Sequence, residues 1–293
     1  MKLLTTKHPA LATFGLLFGA VAWGIIWYPF RLLDQAGISG MSASIATYSV
    51  ALILSGLLFW RGWRKVFSHP ATMLPLMLAA GWTNLSYVLA VIDGEVMRIL
   101  LLFYLSPLWT LLLAKLLLEE PTGRRGLFVI ALSLTGAFVM LWRPAQGLPL
   151  PQNTAEWLGF SAGFCFALTN VLTRRATHLT LEAKSFAIWG GVTLLALLLL
   201  PFSEAALPVP SQISASQWGL MFVLGLILMV TTLLVQYGVT HTRVTRASVI
   251  FLFELVVASI SSYLLAGEVL TAHEWIGGAM IVAATLFAPH GEG

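Results

Sequence analysis

The stretch RILLLFYLSPLWTLLLAKLLLEE (Arg98–Glu120) and the stretch RASVIFLFELVVASISSYLLAGE (Arg246–Glu268) have the same charged frame around an apolar interior. In each, a basic and an acidic residue stand 22 positions apart, and the second frame follows the first by 148 positions. A helix rises about 1.5 Å per residue, so such a frame spans roughly 33 Å, close to the hydrocarbon thickness of a bilayer. Each frame is therefore expected to mark the two ends of one membrane-crossing helix.

The composition of the whole chain agrees with a membrane protein. Of its 293 residues 58% are hydrophobic and 10% are charged, where a soluble domain has about 25% charged residues. Apolar residues fall into ten runs that are long enough, or nearly so, to span a bilayer as helices. The runs cover about 9–33, 42–61, 71–92, 96–118, 124–142, 156–175, 184–201, 217–239, 245–266 and 273–288. The sequence therefore predicts an all-α integral membrane protein with ten transmembrane helices and no soluble domain.

Lysine and arginine collect on one side of the predicted topology. If the N-terminus is cytoplasmic, twelve of these 16 residues lie on the cytoplasmic side, three lie on the other and Lys115 lies near the inner end of the fourth run, which is the bias expected of a membrane protein. The twelve are Lys2, Lys7, Arg61, Arg64, Lys65, Arg124, Arg125, Arg174, Arg175, Lys184, Arg243 and Arg246, and the three are Arg31, Arg98 and Arg143. Both termini are thus expected in the cytoplasm.

Ten runs and a repeated frame predict two halves of five helices each, residues 1–143 and 150–293. Because five is odd, the second half must cross the membrane the opposite way round, which is the inverted-repeat plan of many secondary transporters. A second landmark agrees: Gly15 and Gly19 in the first run match Gly159 and Gly163 in the sixth at an offset of 144. These glycines allow close helix contact and are expected to pack in similar ways in the two halves.

Polar residues inside the runs mark a candidate site. The side chains of Asn84 and Tyr87 share one helix face, and Asn and Gln in hydrocarbon must find partners on neighbouring helices or in water. One interpretation is hydrogen bonding between helices. The other is a central polar cavity whose wall includes Trp23, Asn84, Tyr87, Tyr104, Asn170, Gln236 and Glu254.

Glu254 is the one acidic residue deep inside a run. An ionised carboxylate at the bilayer centre costs at least about 2.5–3.5 kcal/mol, so this side chain must face the interior of the bundle. Receipt of a substrate's amino group or of a proton is the functional interpretation, and a bond to a hydroxyl on the next helix is the structural one.

Several classes of function lack support in the sequence. All six histidines lie at run ends or in loops, so no metal site within the membrane is expected. Nucleotide-binding and serine-hydrolase motifs are absent from the sequence, so neither an ATP-driven pump nor an enzyme is indicated. We expect no cofactor and no nucleic acid partner; the expected partners are the lipid bilayer and a small-molecule substrate, and the protein is expected to be a monomer.

Ten helices in two halves, each with a glutamate closing its fourth run, resemble the drug/metabolite transporter superfamily, in particular its EamA-type branch. The stretches that carry the resemblance are EVMRILLLFYLSPLWTLLLAKLLLEEPT, with Pro107 and Glu120, and RVTRASVIFLFELVVASISSYLLAGEVLT, with Glu254 and Glu268. Family members often have proline directly after the ninth-run glutamate, where this chain has Leu255, so a kink there is in question. The aromatic-rich runs and Trp23-Gly24 resemble the YddG-type aromatic amino acid exporters.

The resemblance implies a multi-pass exporter of the bacterial inner membrane that moves amino acids, including aromatic ones, or related metabolites by alternating access. Its cavity would be lined chiefly by runs 3, 4, 8 and 9, with runs 1 and 6. Two alternatives stay open at this point: an uncoupled facilitator or channel for small neutral metabolites, and a membrane scaffold that transports nothing.

Overall fold

The computed structural model describes residues 8–59, 69–93, 96–120, 122–142, 150–202, 210–267 and 271–287, and within these ranges the regular structure is helical. The α-helices are α1 (Pro9–Gln35), α2 (Gly40–Leu58), α3 (Pro70–Asp93), α4 (Val96–Phe103), α5 (Ser106–Leu117), α6 (Arg124–Leu141), α7 (Thr154–Arg175), α8 (Leu181–Leu199), α9 (Ala215–His241), α10 (Val244–Phe251), α11 (Phe253–Ala266) and α12 (Ala272–Phe287).

These helices confirm the ten apolar runs. Within the described ranges, nine helical segments are long and apolar enough to cross a membrane, and α12 is a tenth apolar helix of 16 residues. Two of the ten segments are interrupted: α4 and α5 together form the fourth, and α10 and α11 together form the ninth. The prediction of an all-α chain with ten apolar helices therefore agrees with the described structure.

Capping side chains fix where several of the helices begin. The side chains of Ser39, Asn153 and Thr180 each accept a hydrogen bond from a backbone N–H in the first turn of the helix that follows. Ser214 forms a capping box with Gln217 at the start of α9. Each cap satisfies an N–H that a helix start leaves without a partner, which is why the polar breaks in the sequence coincide with helix boundaries.

The two interrupted segments break at matching places. The backbone N–H of Leu105 bonds the carbonyl of Leu102 at 3.3 Å, and that of Leu252 bonds the carbonyl of Val249 at 3.2 Å, so both breaks contain tightened three-residue turns. Pro107 stands in the first turn of α5 and accounts for the first break. The second break has no proline. The sequence analysis left a kink near Leu255 undecided, because Leu255 stands where family members often have proline, and the structure breaks the helix at Leu252.

The charged frame marks helix ends less simply than the sequence predicts. Arg246 lies inside α10, in its first turn, and Glu120 follows the end of α5 by three residues. The structure leaves Glu268 and the side chain of Arg98 outside the described residues.

Helices pack mainly against helices that are distant in sequence. α3 lies along α7 and α8, α1 lies along α9 and α11, and α2 lies along α8 and α9. α6 packs along α12, where a Cβ on Gly136 would meet the Gly277 carbonyl oxygen at 2.8 Å and one on Gly277 would meet the Gly136 carbonyl oxygen at 2.5 Å. Their backbones can approach this closely because neither glycine has a side chain.

The two matched glycine pairs have different partners. Gly15 and Gly19 face Leu234 and Val235 of α9, whereas Gly159 and Gly163 face Ile99 and Phe103 of α4. The expectation that they pack in similar ways in the two halves is therefore wrong. Small residues permit close contact but do not specify which helix makes it.

Candidate functional site

Aromatic side chains from five helices meet in the interior of the bundle. We call Trp23, Tyr87, Phe103, Tyr104, Phe166 and Phe251 the central aromatic cluster. The ring of Trp23 lies 5.4 Å from that of Phe251, which in turn lies 5.4 Å from that of Phe166. Phe103 continues the chain of contacts, with ring centroids 5.5 Å from Phe166. These spacings are those of favourable tilted and edge-to-face pairs.

Two tyrosines extend the cluster toward an acidic side chain. The rings of Tyr87 and Tyr104 lie 5.3 and 5.2 Å from that of Phe103. Tyr104 is hydrogen-bonded to the carboxyl group of Glu254, and Tyr87 is close enough to that carboxyl group to interact with it electrostatically. The four sequence-predicted residues Trp23, Tyr87, Tyr104 and Glu254 therefore belong to one contiguous group.

Glu254 is placed by the break between α10 and α11. It lies in the first turn of α11, three residues after Phe251, and its side chain is half-buried. A carboxylate beside the rings of Tyr87 and Tyr104 suits a cation, because the carboxylate supplies charge and the ring faces attract the same cation. The arrangement can therefore hold an ammonium group together with an apolar or aromatic side chain.

Asn84 is not part of this group of contacts. Its Oδ1 accepts a 2.7 Å hydrogen bond from the Tyr48 hydroxyl of α2, and its Nδ2 donates to the Ala80 carbonyl within α3. Both ends of the amide thus have protein partners. The geometry favours the structural interpretation for this residue, as a link between α2 and α3.

Asn170 and Gln236 keep unused hydrogen-bonding capacity. Their side chains are 4% and 2% exposed, and neither the Nδ2 of Asn170 nor the Oε1 of Gln236 has a hydrogen-bond partner. Asn170 lies one turn beyond Phe166 on the same face of α7. A buried donor and a buried acceptor without partners are costly unless a ligand or water binds them.

The sequence analysis missed the phenylalanines of the cluster. Phe103, Phe166 and Phe251 stand in apolar runs, and the chain has 17 phenylalanines, so residue type alone does not single them out. One signal was available, because Phe103 and Phe251 are separated by 148 positions, the offset of the charged frame. It points to the same two turns at which the interrupted segments break.

Other tryptophans within the helices join neighbouring helices instead. The indole N–H groups of Trp27, Trp82 and Trp189 donate to Ser261, Ser161 and Thr232 at 2.9, 3.1 and 3.1 Å. These bonds give each of the three indole groups a hydroxyl partner on a neighbouring helix. Of the tryptophans in α1 and α3, Trp23 is the one in the aromatic cluster.

A separate cleft lies at the edge of the bundle. It has a volume of about 390 Å³ between α6, α11 and α12, and its lining includes Met140, Ile260, Trp275 and Phe287. It shares no residue with the central aromatic cluster. The described residues contain no group of three or more His, Cys, Asp or Glu side chains placed to hold a metal ion.

Comparison with known proteins gives a consistent family. Residues 153–288 match the EamA-like transporter family. An uncharacterized transporter of Archaeoglobus fulgidus is 30% identical over 228 residues, which cover 77% of this chain and 78% of that protein. The uncharacterized transporter YojE of Bacillus subtilis is 25% identical over 236 residues, 76% of each chain. A solved crystal structure has a TM-score of 0.75 over 94% of this chain and 96% of its own, at 18% identity, which shows a shared fold.

Proposed function

The chain belongs to the EamA-like transporter family, and from that premise we propose that it is a secondary transporter that exports amino acids, aromatic ones among them. Membership makes it a multi-pass membrane transporter of a small molecule. The substrate class, the direction of transport and the binding residues are the substance of the proposal.

The contact between Glu254 and the central aromatic cluster carries the proposal. Its carboxyl group, bonded to Tyr104, would receive the ammonium group of the substrate, and the rings of Trp23, Phe166 and Phe251 would pack against the substrate's side chain. The buried amides of Asn170 and Gln236 have a free donor and a free acceptor, which suit the carboxylate and the amino group of an amino acid. We assign Asn84 a structural role, because its amide oxygen already accepts a hydrogen bond from the Tyr48 hydroxyl.

Alternating access between two inverted halves, 1–143 and 150–293, is the mechanism we propose. In an inverted repeat of five segments, α1, α2 and α3 correspond to α7, α8 and α9. The contact of α3 with α7 then corresponds to that of α9 with α1, and the contact of α3 with α8 corresponds to that of α9 with α2. The breaks at Tyr104–Leu105 and Leu252 follow the same correspondence. Such reciprocity supports an inverted repeat, whose site would lie at the interface of the halves.

Transport by the purified protein in proteoliposomes tests the function. We expect saturable exchange of labelled phenylalanine, inhibited by an excess of unlabelled tryptophan or tyrosine and weakly by a neutral sugar. The same assay with and without an imposed pH gradient separates a proton-coupled transporter from an uncoupled facilitator. Exchange no faster than in protein-free vesicles for every amino acid tried would overturn the assigned substrate class.

A further inference from the structure

A row of side chains on α7 leads from the central aromatic cluster to the end of the helix. Phe166, Asn170 and Arg174 are four residues apart, so they lie on one face at steps of about 6 Å. Phe166 belongs to the cluster, and Asn170 has the buried free amide. Arg174 is one residue before the last residue of α7. A substrate leaving the cluster along this face would therefore meet Arg174 last.

Arg174 is held in a network that joins five helix ends. Its Nε donates to Glu120 Oε1 at 3.1 Å, and its Nη1 donates to the carbonyl oxygen of Thr240 in the last turn of α9. The second oxygen of Glu120 accepts from the backbone N–H of Val244, the first residue of α10, at 3.4 Å. Glu120, just beyond α5, thus contacts both α7 and α10.

Lys184 completes the network from α8. Its side chain is 0% exposed, and its ammonium donates to the Thr173 carbonyl at 3.0 Å and to the Thr240 hydroxyl at 2.9 Å. The sequence predicted this lysine at the cytoplasmic start of the seventh apolar run, and the structure buries it in the first turn of α8. We call Glu120, Arg174, Lys184 and Thr240 the end cluster.

The charges of the end cluster balance when it is closed. Arg174 and Lys184 bring two positive charges, and Glu120 brings one negative charge. The last turns of α7 and α9 add the partial negative charge of two helix C-termini, which the two cations contact directly. The cluster thus needs no further ion in this arrangement, and separating α5 or α9 from the rest would leave buried cations with fewer partners.

The position and exposure of the ion pair suit an interaction that forms and breaks. Glu120 comes from the first half of the chain, whereas Arg174, Lys184 and Thr240 come from the second. The side chains of Arg174 and Glu120 are 24% and 18% exposed, so water screens the pair in part and its opening costs less than that of a fully buried pair. Asn170, one turn before Arg174 on α7, and Gln236, one turn before Thr240 on α9, are buried.

We propose that the end cluster is a gate that closes the transport path at the C-terminal ends of α7 and α9, and that the bond of Glu120 to Arg174 connects the two halves reversibly. The inference rests on the proposed transport mechanism, but its test needs no identified substrate. Opening requires Glu120 to leave Arg174, and closure restores the pair.

Thiol labelling of a buried reporter tests the gate directly. The background is Cys165→Ser, which removes the single native cysteine, and the reporter is Asn170→Cys. A membrane-impermeant maleimide is applied to sealed vesicles of each orientation. We expect slow labelling in this background and about tenfold faster labelling after Glu120→Gln, from the side of the end cluster alone. Glu119→Gln, a change at the exposed neighbouring carboxylate, is the matched control and is expected to leave the rate unchanged.

A charge exchange separates a gate from a folding defect. Arg174→Glu alone should label as fast as Glu120→Gln, and Glu120→Arg combined with Arg174→Glu should restore slow labelling at least in part. If Glu120→Gln does not fold, Glu120→Asp, which only shortens the side chain, replaces it with the same expectation. Equal labelling rates in the folded Glu120 variant and in Glu119→Gln would overturn the gate, whether or not amino acid transport has been observed.

Discussion

Glu254 places a carboxyl group beside the rings of Tyr87 and Tyr104 inside a membrane-spanning segment. Tyr104 supplies a hydrogen bond, and Phe251, three residues before Glu254, belongs to the same aromatic cluster as Tyr104. An acid so placed costs free energy unless something compensates it. In the proposed cycle the substrate's ammonium group is that compensation.

We therefore expect Glu254→Gln to retain the fold and lose substrate recognition. Glutamine has nearly the same size as glutamate but no charge, so an ammonium–carboxylate contact is lost while packing is kept. The expected result is at least a tenfold rise in the half-saturation concentration for phenylalanine, or a similar fall in rate. Exchange in proteoliposomes measures it, with Glu119→Gln as the control for a carboxylate outside the site. Wild-type exchange at every concentration would make Glu254 a structural acid.

Two tyrosines allow the same chemical change to test opposite roles. Tyr48→Phe removes the hydroxyl that bonds Asn84, and we expect it to lower the free energy of unfolding by about 1 kcal/mol without changing transport. Tyr104→Phe removes the hydroxyl that bonds Glu254, and we expect it to change transport. Thermal unfolding and exchange are measured on both variants. A transport defect in Tyr48→Phe would return Asn84 to the substrate site.

At the scale of single residues, the sequence predicted part of the candidate site. Glu254, Tyr87, Tyr104 and Trp23 stand out because a charged, polar or indole group in an apolar run needs an explanation. Asn84 stands out for the same reason, yet its partner Tyr48 could not be foreseen, because pairing across helices depends on which helices are neighbours. Phe103, Phe166 and Phe251 were hidden because a phenylalanine in an apolar run has a sufficient explanation in burial.

Among the elements, α3 and α8 make the most demanding contact. A Cβ on Gly191 of α8 would overlap the Met77 carbonyl oxygen of α3. A Cβ on Gly81 of α3 would lie 2.6 Å from the Gly191 carbonyl oxygen. Both obstacles are backbone atoms, which cannot turn aside as a side chain can. The two helices can lie together only because these positions have no side chain.

We expect Gly191→Ala to destabilise the protein by about 1–3 kcal/mol through this overlap. Gly190 gives a matched control in the same helix, since its added Cβ would meet the Met77 Cε at 3.6 Å, an ordinary contact. Gly190→Ala should leave stability unchanged or raise it slightly, because alanine favours the helix. Thermal unfolding in detergent compares them. Equal unfolding temperatures for the two variants would show that α3 and α8 are further apart than described.

Element boundaries followed from the sequence more completely than element contacts. Apolar length predicts where the helices lie, and the caps Asn153 and Ser214 explain why α7 and α9 begin two residues before the predicted runs. The break at Leu252 was not predicted, because it has no proline and lies in an uninterrupted apolar run. Hydropathy gives each helix an affinity for lipid but does not identify the helix it packs against.

For the whole molecule, an even number of crossings and the placement of basic residues predict both termini on the cytoplasmic side. Reporter fusions test this: a cytoplasmic reporter such as green fluorescent protein should fluoresce at either terminus, and alkaline phosphatase fused after residue 150 should be active only if that loop lies outside the cytoplasm, where the disulfides of the phosphatase can form. Five crossings precede that loop, so we expect it on the non-cytoplasmic side of the membrane. The phosphatase fused there should be active where that side is oxidising. The contrary pattern at the termini would reverse the orientation of the end cluster.

The interlocking of the two halves also has a consequence for how the protein is made. The most extensive packing partners of α1, α2 and α3 are α7, α8, α9 and α11, whereas α1 and α2 touch each other only slightly. A ribosome delivers the first five crossings before their main partners have been translated, so these helices must wait in the bilayer with most of their contact surface covered by lipid. Assembly is then late, and its completion depends on synthesis of the C-terminal half. The N-terminal half synthesised alone should be a target for membrane proteases, and supplying the other half as a separate chain should rescue it.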